Sequence, residues 1–409
     1  MSSDLRRRLE RLERGRPSAR ARTRRRARAQ DLPPGEEVET AEGLAYRIDT
    51  HYAVDYRHGR SSLQEVLSYA PSLAAEVASD AGLERSRMQR WGFIDIETTG
   101  LSGGAGTLGF LIGLGTFQEG EFNLRQYFLR DPEEEAATLQ SLRSDLEGVE
   151  GIVTFNGRTF DLPVLESRYT IALRDRWRLS ARPHLDLLYP SRRLWSKTLT
   201  NCRLSTLERH VLQVERTEDD VPGALIPGMY LGYLRTGDAS DMARVIYHNA
   251  VDILSLVGLL SVVLNRHRLP DPTGLSGGEA LAVARWHEAA GRNPEAEAAY
   301  RAAVSGAPND VLRAEALKHL TALLKRQSRR PEALRAWEEW HSSAPEDASP
   351  CIELAMYYEW EARDLPQAVE WAQAALGIVG KWPKGWRREQ RRQEIDHRMA
   401  RLRRKMSQA

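Results

Sequence analysis

The 409-residue sequence contains only two cysteines, Cys202 and Cys351, and no long uninterrupted apolar run. Two thiols so far apart in sequence predict neither a disulfide framework nor a cysteine metal cluster. The longest apolar stretch, residues 253–264, is too short to cross a bilayer, and no apolar signal segment follows the N-terminal arginines. These features argue against a disulfide-rich secreted protein and against membrane association, so we expect a cytoplasmic location.

The formal net charge is only +2, but the charge is distributed unevenly along the chain. Residues 1–30 contain twelve Arg against three acidic residues, and residues 381–405 contain eleven Lys or Arg against three acidic residues. Basic segments of this kind neutralise phosphates and release counterions, which favours binding to DNA or RNA. The alternative is that the first segment is a solvated disordered tail and the second a solvated helix face.

The length and the changes of pattern along the chain predict two folded domains with basic ends. After the Arg-rich tail (1–30), residues 31–90 form an N-terminal extension to which the sequence assigns no role. Short β-rich runs between glycines begin at Trp91, and strand and helix patterns alternate after residue 131. This order predicts an α/β domain over residues 91–268, with a mixed sheet and flanking helices.

The C-terminal region has an internal repeat. Similar segments place an alanine at residues 296, 333 and 368, and Pro308 and Pro345 follow the first two units. A period of about 35 residues is typical of tetratricopeptide repeats, in which pairs of helices stack on one another. We therefore predict an all-α, tetratricopeptide-like repeat domain over residues 275–380 that binds a protein partner, followed by a basic C-terminal segment (381–409). A plain helical bundle is the alternative.

The segment Phe93-Ile-Asp-Ile-Glu-Thr-Thr-Gly contains the first chemical motif. Side chains alternate between the faces of a strand, so Asp95 and Glu97 lie on one face, while Ile94 and Ile96 lie on the other. Neighbouring carboxylates repel one another, and hard divalent cations such as Mg²⁺ or Mn²⁺ are their natural counter-charge. A chance pair of surface acids is the alternative for this motif alone.

Two further motifs supply acidic residues later in the domain. Asp161 stands where a strand ending near Asn156 gives way to a helix, a position at which an Asp also serves as a helix cap. His248 and Asp252 are four residues apart and share one face of a predicted helix. Each motif has a structural explanation in isolation, but together they supply the ligands of a metal site.

The three motifs together resemble the DnaQ-like (DEDD) 3′-5′ exonuclease superfamily, and shorter matches between residues 90 and 265 extend the resemblance to the YprB-type RNase H-like family. These matches include Leu101-Ser-Gly-Gly-Ala-Gly-Thr, Leu204-Ser-Thr-Leu-Glu208 and Asp219-Asp-Val-Pro-Gly. The resemblance implies an RNase H-like fold and a site in which Asp95, Glu97, Asp161 and Asp252 bind two divalent cations, Mg²⁺ or Mn²⁺. Two cations held in this way activate water and stabilise the leaving oxygen of a phosphodiester.

The general base departs from the usual pattern of this superfamily, which has Tyr four residues, or His five residues, before the last Asp. Here His248 lies at four and Tyr247 at five. We favour His248, because it shares the face of Asp252 and an imidazole accepts a proton near neutral pH. Tyr247 is the alternative base, although its angular offset on the helix favours packing against the sheet.

Three residues that adjoin the acids are candidate substrate-binding residues: Thr98, Asn156 and Phe160. Asn156 either hydrogen-bonds a terminal nucleotide or closes the turn. The sequence thus predicts a 3′-5′ exonuclease that acts on single-stranded DNA or RNA ends. The alternatives are a structure-selective endonuclease with the same chemistry, and a nucleic-acid-binding scaffold whose repeats recruit a protein partner. Whether the sugar is ribose or deoxyribose depends on a pocket for the 2′-hydroxyl, which the sequence does not define.

Overall fold

A computed structural model describes residues 32–100, 106–217, 220–268 and 271–408. The Arg-rich tail and part of the glycine-rich segment after Gly100 lie outside the described residues. The described chain forms two compact units, one of residues up to 192 with 201–265 and the other of residues 193–200 with those from 266 onward.

The first unit is built on a mixed seven-stranded sheet. Its spatial order is β1-β2-β7-β6-β5-β8-β9, in which β8 is parallel to β5 and to β9 and the other pairs are antiparallel. A separate two-stranded ladder joins β3 to β4. The strands are β1 (Glu36–Thr40), β2 (Gly43–Ala53), β3 (Arg57–His58), β4 (Ser61–Ser62), β5 (Trp91–Thr98), β6 (Gly109–Gln118), β7 (Glu121–Phe128), β8 (Gly151–Thr154) and β9 (His184–Asp186).

Residues 36–53 belong to this sheet, although the sequence assigns them no role. Strand β2 pairs with β7 from Tyr46 to Ala53, and β1 completes the edge. Ala45 and Ile48 of β2 are buried between partly exposed neighbours. A strand of such mixed polarity gives a weak signal in isolation, because its stability comes from cross-strand pairing that the local sequence does not show.

Helices cover both faces of the sheet. Strand β5 buries Ile94 and Ile96 in one hydrophobic cluster with α2 and α3, while Phe110 and Phe128 pack against α6 and α7 in another. Helix α7 approaches β6 closely, because a Cβ atom at Gly113 or Gly115 would collide with Asn249 or Ile253 of that helix. The helices up to residue 268 are α1 (Pro71–Ala78), α2 (Glu135–Leu146), α3 (Asp161–Ala172), α4 (Leu188–Trp195), α5 (Leu204–Leu207), which continues as a π-helical turn (Glu208–Leu212), α6 (Ile226–Thr236) and α7 (Ser240–Arg268).

The second unit is built of paired helices. Ala296, Ala333 and Ala368 are all fully buried near the start of the second helix of successive pairs. Its helices are α8 (Gly277–Ala289), α9 (Asn293–Ser305), α10 (Asp310–Arg326), α11 (Arg330–Ser343), α12 (Ser349–Trp360), α13 (Leu365–Gly380) and α14 (Trp386–Gln408). The predicted fold class, an α/β domain followed by an all-helical region, is confirmed.

The basic C-terminal segment is helical and partly neutralised. Helix α14 buries Ile395, Met399 and Leu402 in a cluster with α12 and α13. Three of its basic side chains converge on the buried carboxylate of Glu359, at distances between 2.7 and 3.2 Å: Arg398, Arg401 and Lys405. These three basic side chains therefore stabilise the fold by neutralising Glu359, while other basic side chains such as those of Arg387 and Arg403 remain exposed.

Helix α7 is long and apolar enough to span a membrane by length and composition alone. However, 78% of its most apolar window is buried inside the protein, because the helix packs across the sheet. Its apolar character is thus explained by burial in the core.

Two buried histidines predict a loss of stability in acid. Burial lowers the pKa of His58 to about 4 and that of His184 to about 4, so both rings are neutral in the fold. The unfolded chain binds these protons near pH 6.5, so the contribution of the two histidines to the free energy of unfolding is complete above that pH and is lost between pH 6.5 and 4. We expect a loss of up to about 3 kcal/mol for each residue.

Urea titrations from pH 7.5 to 4.5 measure this effect, with hydrogen exchange of β5 and β8 as the probe of the first unit. The double variant His58→Gln/His184→Gln should show a shallower decline of stability with falling pH. The same substitution at exposed His397 is the control and should leave the slope unchanged. An unchanged slope in the double variant would contradict the assignment.

Candidate metal centre

Strand β5 carries the first two acids on the face opposite Ile94 and Ile96. Asp95 is held there by Asn249 of α7, whose Nδ2 donates to Asp95 Oδ2 at 2.9 Å. The same Nδ2 lies 3.2 Å from the main-chain oxygen of Asp95. The acidic face of β5 is therefore covered by α7, the helix that carries the last motif.

Asp161 is the first residue of α3 and is 5% exposed. The turn that precedes it is fixed by Asp186 at the end of β9, whose carboxylate accepts from the backbone N–H groups of Asn156 at 2.7 Å and Arg158 at 3.0 Å. Asp186 thus positions the turn that presents Asp161.

Helix α7 places His248 and Asp252 against Glu97. Nε2 of His248 lies 3.8 Å from Oε1 of Glu97 and 3.6 Å from Oδ2 of Asp252. One potential ligand atom from each of these three residues lies within 4.8 Å of the others. The fold therefore joins the first and third motifs, which are more than 140 residues apart in sequence.

Burial is the largest cause of the raised pKa values of the four acids, and charges within the cluster add to it at Glu97, Asp161 and Asp252. Burial, and then the charge of Asp95, raises the pKa of Asp252 to about 7. The pKa of Glu97 is raised well above its usual value by burial and by the charges of Asp95, Asp252 and Asp161. Burial also raises the pKa of Asp95 and of Asp161. Carboxyl groups in such surroundings favour a cation that offsets their charges.

Asp220 orients the ring of His248. Its Oδ1 lies 2.7 Å from Nδ1 of His248, and because a carboxylate only accepts hydrogen bonds, this contact places the ring hydrogen on Nδ1. In the neutral ring, Nε2 then carries the lone pair and faces Glu97 and Asp252. This Asp-His arrangement suits a base that accepts a proton inside the acid cluster.

Arg216 and Glu208 complete the centre and are missing from the residues predicted by sequence. The guanidinium of Arg216 donates to both oxygens of Glu208, at 2.7 and 2.6 Å, and to Oδ1 of Asp252. Its Nη1 donates to Asp220 at 3.2 Å. The only sequence signal is indirect, since Arg216 stands between two segments of the family resemblance.

The remaining predicted residues lie beside the centre in different roles. The hydroxyl of Thr98 donates to the Gly100 oxygen at 2.8 Å, and Phe160 caps α3 without a side-chain hydrogen bond. Asn156 has a left-handed backbone with φ of 67°, and its Oδ1 accepts from Thr159 at 2.9 Å, which supports the turn. Tyr247 is half-buried near Tyr52 of β2, whose pKa is raised by burial and by nearby tyrosines. Contacts of these residues with substrate stay predictions.

The donor set fits a hard divalent cation. Glu97, Asp252 and His248 offer two carboxylate oxygens and one imidazole nitrogen that lie within 4.8 Å of one another. The charges of Asp95 and Asp161 also act on Glu97, so the negative charge of the acids exceeds the positive charge of Arg216, the guanidinium that contacts Asp252 among the described residues. Oxygen ligands of this kind suit Mg²⁺ or Mn²⁺.

Comparison with known proteins places this centre in a family. Residues 92–264, which contain all four acids, match the RNase H superfamily. The chain is also 30% identical over 366 residues to YprB, an uncharacterized protein of Bacillus subtilis (strain 168), and the match covers 88% of this chain and 86% of that protein. The chain therefore belongs to the YprB family, with a domain of the RNase H superfamily.

Proposed function

We propose that the protein is a metal-dependent nuclease, and most specifically a 3′-5′ exonuclease of the DEDD type. The observation that carries the proposal is the convergence of Asp95, Glu97, Asp161 and Asp252 from β5, α3 and α7, with an imidazole turned toward them. Membership of the RNase H superfamily supports hydrolysis of nucleic acid as the chemistry.

The four carboxylates are the proposed ligands of two divalent cations, Mg²⁺ or Mn²⁺. Bound cations would supply an activated water and stabilisation of the leaving oxygen. The chain's own residues hold the carboxylates in place: Asn249 fixes Asp95, Asp186 fixes the turn before Asp161, and Arg216 holds Asp252. His248 takes the proton from the attacking water through Nε2, while Asp220 keeps Nδ1 protonated.

End-labelled substrates test the reaction type. The purified chain should shorten single-stranded DNA or RNA from the 3′ end in Mn²⁺ or Mg²⁺, and produce a ladder of products that differ by one nucleotide. Internal cuts near junctions would favour a structure-selective endonuclease instead. If the chain shows no metal-dependent cleavage of single-stranded or double-stranded DNA or RNA, the nuclease proposal is contradicted. The remaining alternative is then a nucleic-acid-binding scaffold.

The paired helices of the second unit support a tetratricopeptide-like assignment, in which the repeats bind a protein partner. The helix spacing and the buried alanines at the start of each second helix agree with such stacking. We propose that this partner brings the nuclease to its substrate in the cytoplasm.

Removal of residues 1–30 should weaken nucleic-acid binding and its dependence on salt. This segment carries a net charge of about +9 from its sequence, and each neutralised phosphate of a single strand contributes about 0.7 to the steepness of log K against log salt. We expect at least about a tenfold loss of affinity at low salt, with a flatter slope, in fluorescence anisotropy with labelled single strands.

A chain in which the twelve Arg of this segment are replaced by Gln keeps its length and is the matched control. It should behave like the truncated chain if charge is responsible. Wild-type affinity and salt dependence in both variants would show that the segment does not contact the nucleic acid.

A further inference from the structure

The acid cluster contains a fixed internal cation, Arg216. Its side chain is 13% exposed, and the structure directs its N–H groups at Glu208, Asp252 and Asp220. Nη1 also lies 2.9 Å from Nδ1 of His248, but two N–H groups do not bond one another, so this hydrogen goes to Asp220. Four of the five guanidinium N–H groups are therefore bound to carboxylates of the protein.

Glu208 holds the guanidinium of Arg216 in place. Its side chain is 2% exposed, and Oε1 accepts from the hydroxyl of Ser255 at 2.6 Å. Ser255 in turn lies 2.8 Å from Nε2 of His58. The π-helical turn that carries Glu208 is held by a backbone bond from Arg60 N–H to the Leu212 oxygen at 2.8 Å. The N-terminal extension thus helps to hold this pair.

The two oxygens of Asp252 have different neighbours as a result. Oδ1 accepts from Nη2 of Arg216, whereas Oδ2 faces Nε2 of His248 at 3.6 Å. Glu97 lies on the side of His248 Nε2, at 3.8 Å. Oδ2 of Asp252 therefore lies on the same side as the ligand atoms of His248 and Glu97, whereas Oδ1 accepts a hydrogen bond from a guanidinium whose positive charge opposes a cation at that oxygen.

This asymmetry bears on which cation the centre accepts. Ca²⁺ takes six to eight oxygen ligands and often binds both oxygens of a carboxylate, whereas Mg²⁺ requires a smaller octahedral shell. We propose that Arg216 is a positioning residue that restricts Asp252 to one ligand oxygen and so disfavours Ca²⁺ relative to Mn²⁺ or Mg²⁺. This inference rests on the proposed metal site.

The double variant Glu208→Gln/Arg216→Gln tests this inference. Both charges of the pair are removed together, so the net charge of the centre is unchanged, and glutamine at 216 is too short to close Oδ1 of Asp252 while anchored at 208. Isothermal titration of the full chain with Ca²⁺ and Mn²⁺, without nucleic acid, gives the ratio of the two Kd values. We expect Ca²⁺ affinity to rise about tenfold relative to Mn²⁺.

Arg216→Lys is the second variant, and it still tests the inference if the double variant does not fold. Lys keeps the charge but lacks the two-pronged guanidinium that spans Glu208 and Asp252, so the ratio should shift in the same direction. The matched control is Glu135→Gln/Arg168→Gln, another partly buried pair with two hydrogen bonds in the same unit, at 2.5 and 2.6 Å. Its ratio should equal that of the wild type.

A wild-type ratio in folded samples of both Arg216 variants would overturn the inference, with folding checked by circular dichroism. Failure of the underlying metal site gives a different result: neither cation binds the wild type, and Asp252→Asn changes nothing. Mn²⁺ binding that depends on Asp252, with no change of the ratio in the variants, would leave the metal site intact and reject only the role of Arg216.

Discussion

Asp95→Asn should reduce metal-dependent cleavage by at least about 10³-fold, because removal of one charged ligand costs several kcal/mol of transition-state stabilisation. The charge of Asp95 contributes to the raised pKa values of Glu97, Asp161 and Asp252. Asparagine has the same shape and can still accept from Asn249, so the fold should be preserved. The measurement is kcat on an end-labelled single strand, together with Mn²⁺ binding by calorimetry.

Asp145→Asn is the matched control for this substitution. Asp145 is also a partly buried carboxylate of the first unit, but it accepts from Tyr127 and lies 3.5 Å from Arg47 and from Arg125, outside the acid cluster. Its replacement should leave kcat and Mn²⁺ binding near the wild-type values. Equal cleavage by Asp95→Asn and the wild type in Mn²⁺ would refute the assignment of this centre.

The sequence predicts the core of this site because each acid lies in a motif with a local structural logic. Alternation along β5 separates Asp95 and Glu97 from Ile94 and Ile96, and helical periodicity places His248 beside Asp252. The α/β class follows from the order of strand and helix patterns. These inferences need only neighbouring residues and the relation of a strand or helix to its two faces.

Other parts of the centre depend on contacts that no local pattern contains. Asp220 contacts His248, and Arg216 contacts Glu208 and Asp252, across 28 to 36 residues of sequence or through the end of the π-helical turn, which no local pattern predicts. Strand β2 likewise joins the sheet through pairing with β7, about 75 residues further along the chain. Residues 32–90 therefore have a structural role, and through His58 and Arg60 they support the pair that holds Asp252.

The second large effect is the loss of kcat expected when the general base is replaced. His248→Gln should lower kcat by about 10²- to 10⁴-fold, the range expected for loss of general base catalysis. Asp220→Asn should lower kcat by about 10- to 100-fold, because the ring loses the carboxylate that keeps its hydrogen on Nδ1. Single-turnover cleavage at saturating Mn²⁺ measures these rates separately from product release.

Tyr247→Phe separates the two candidate bases. Tyr247 precedes His248 on the same helix, and its hydroxyl acts on the pKa of Tyr52 in β2, so we expect the loss of this hydroxyl to leave kcat nearly unchanged. A large loss in Tyr247→Phe with a normal rate in His248→Gln would assign the base to Tyr247. Mn²⁺ affinity distinguishes a base from a ligand: if His248 acts through its proton alone, His248→Gln lowers kcat while the Kd for Mn²⁺ stays the same. A parallel weakening of Mn²⁺ binding would instead make Nε2 of His248 a ligand, as its distances to Glu97 and Asp252 also allow.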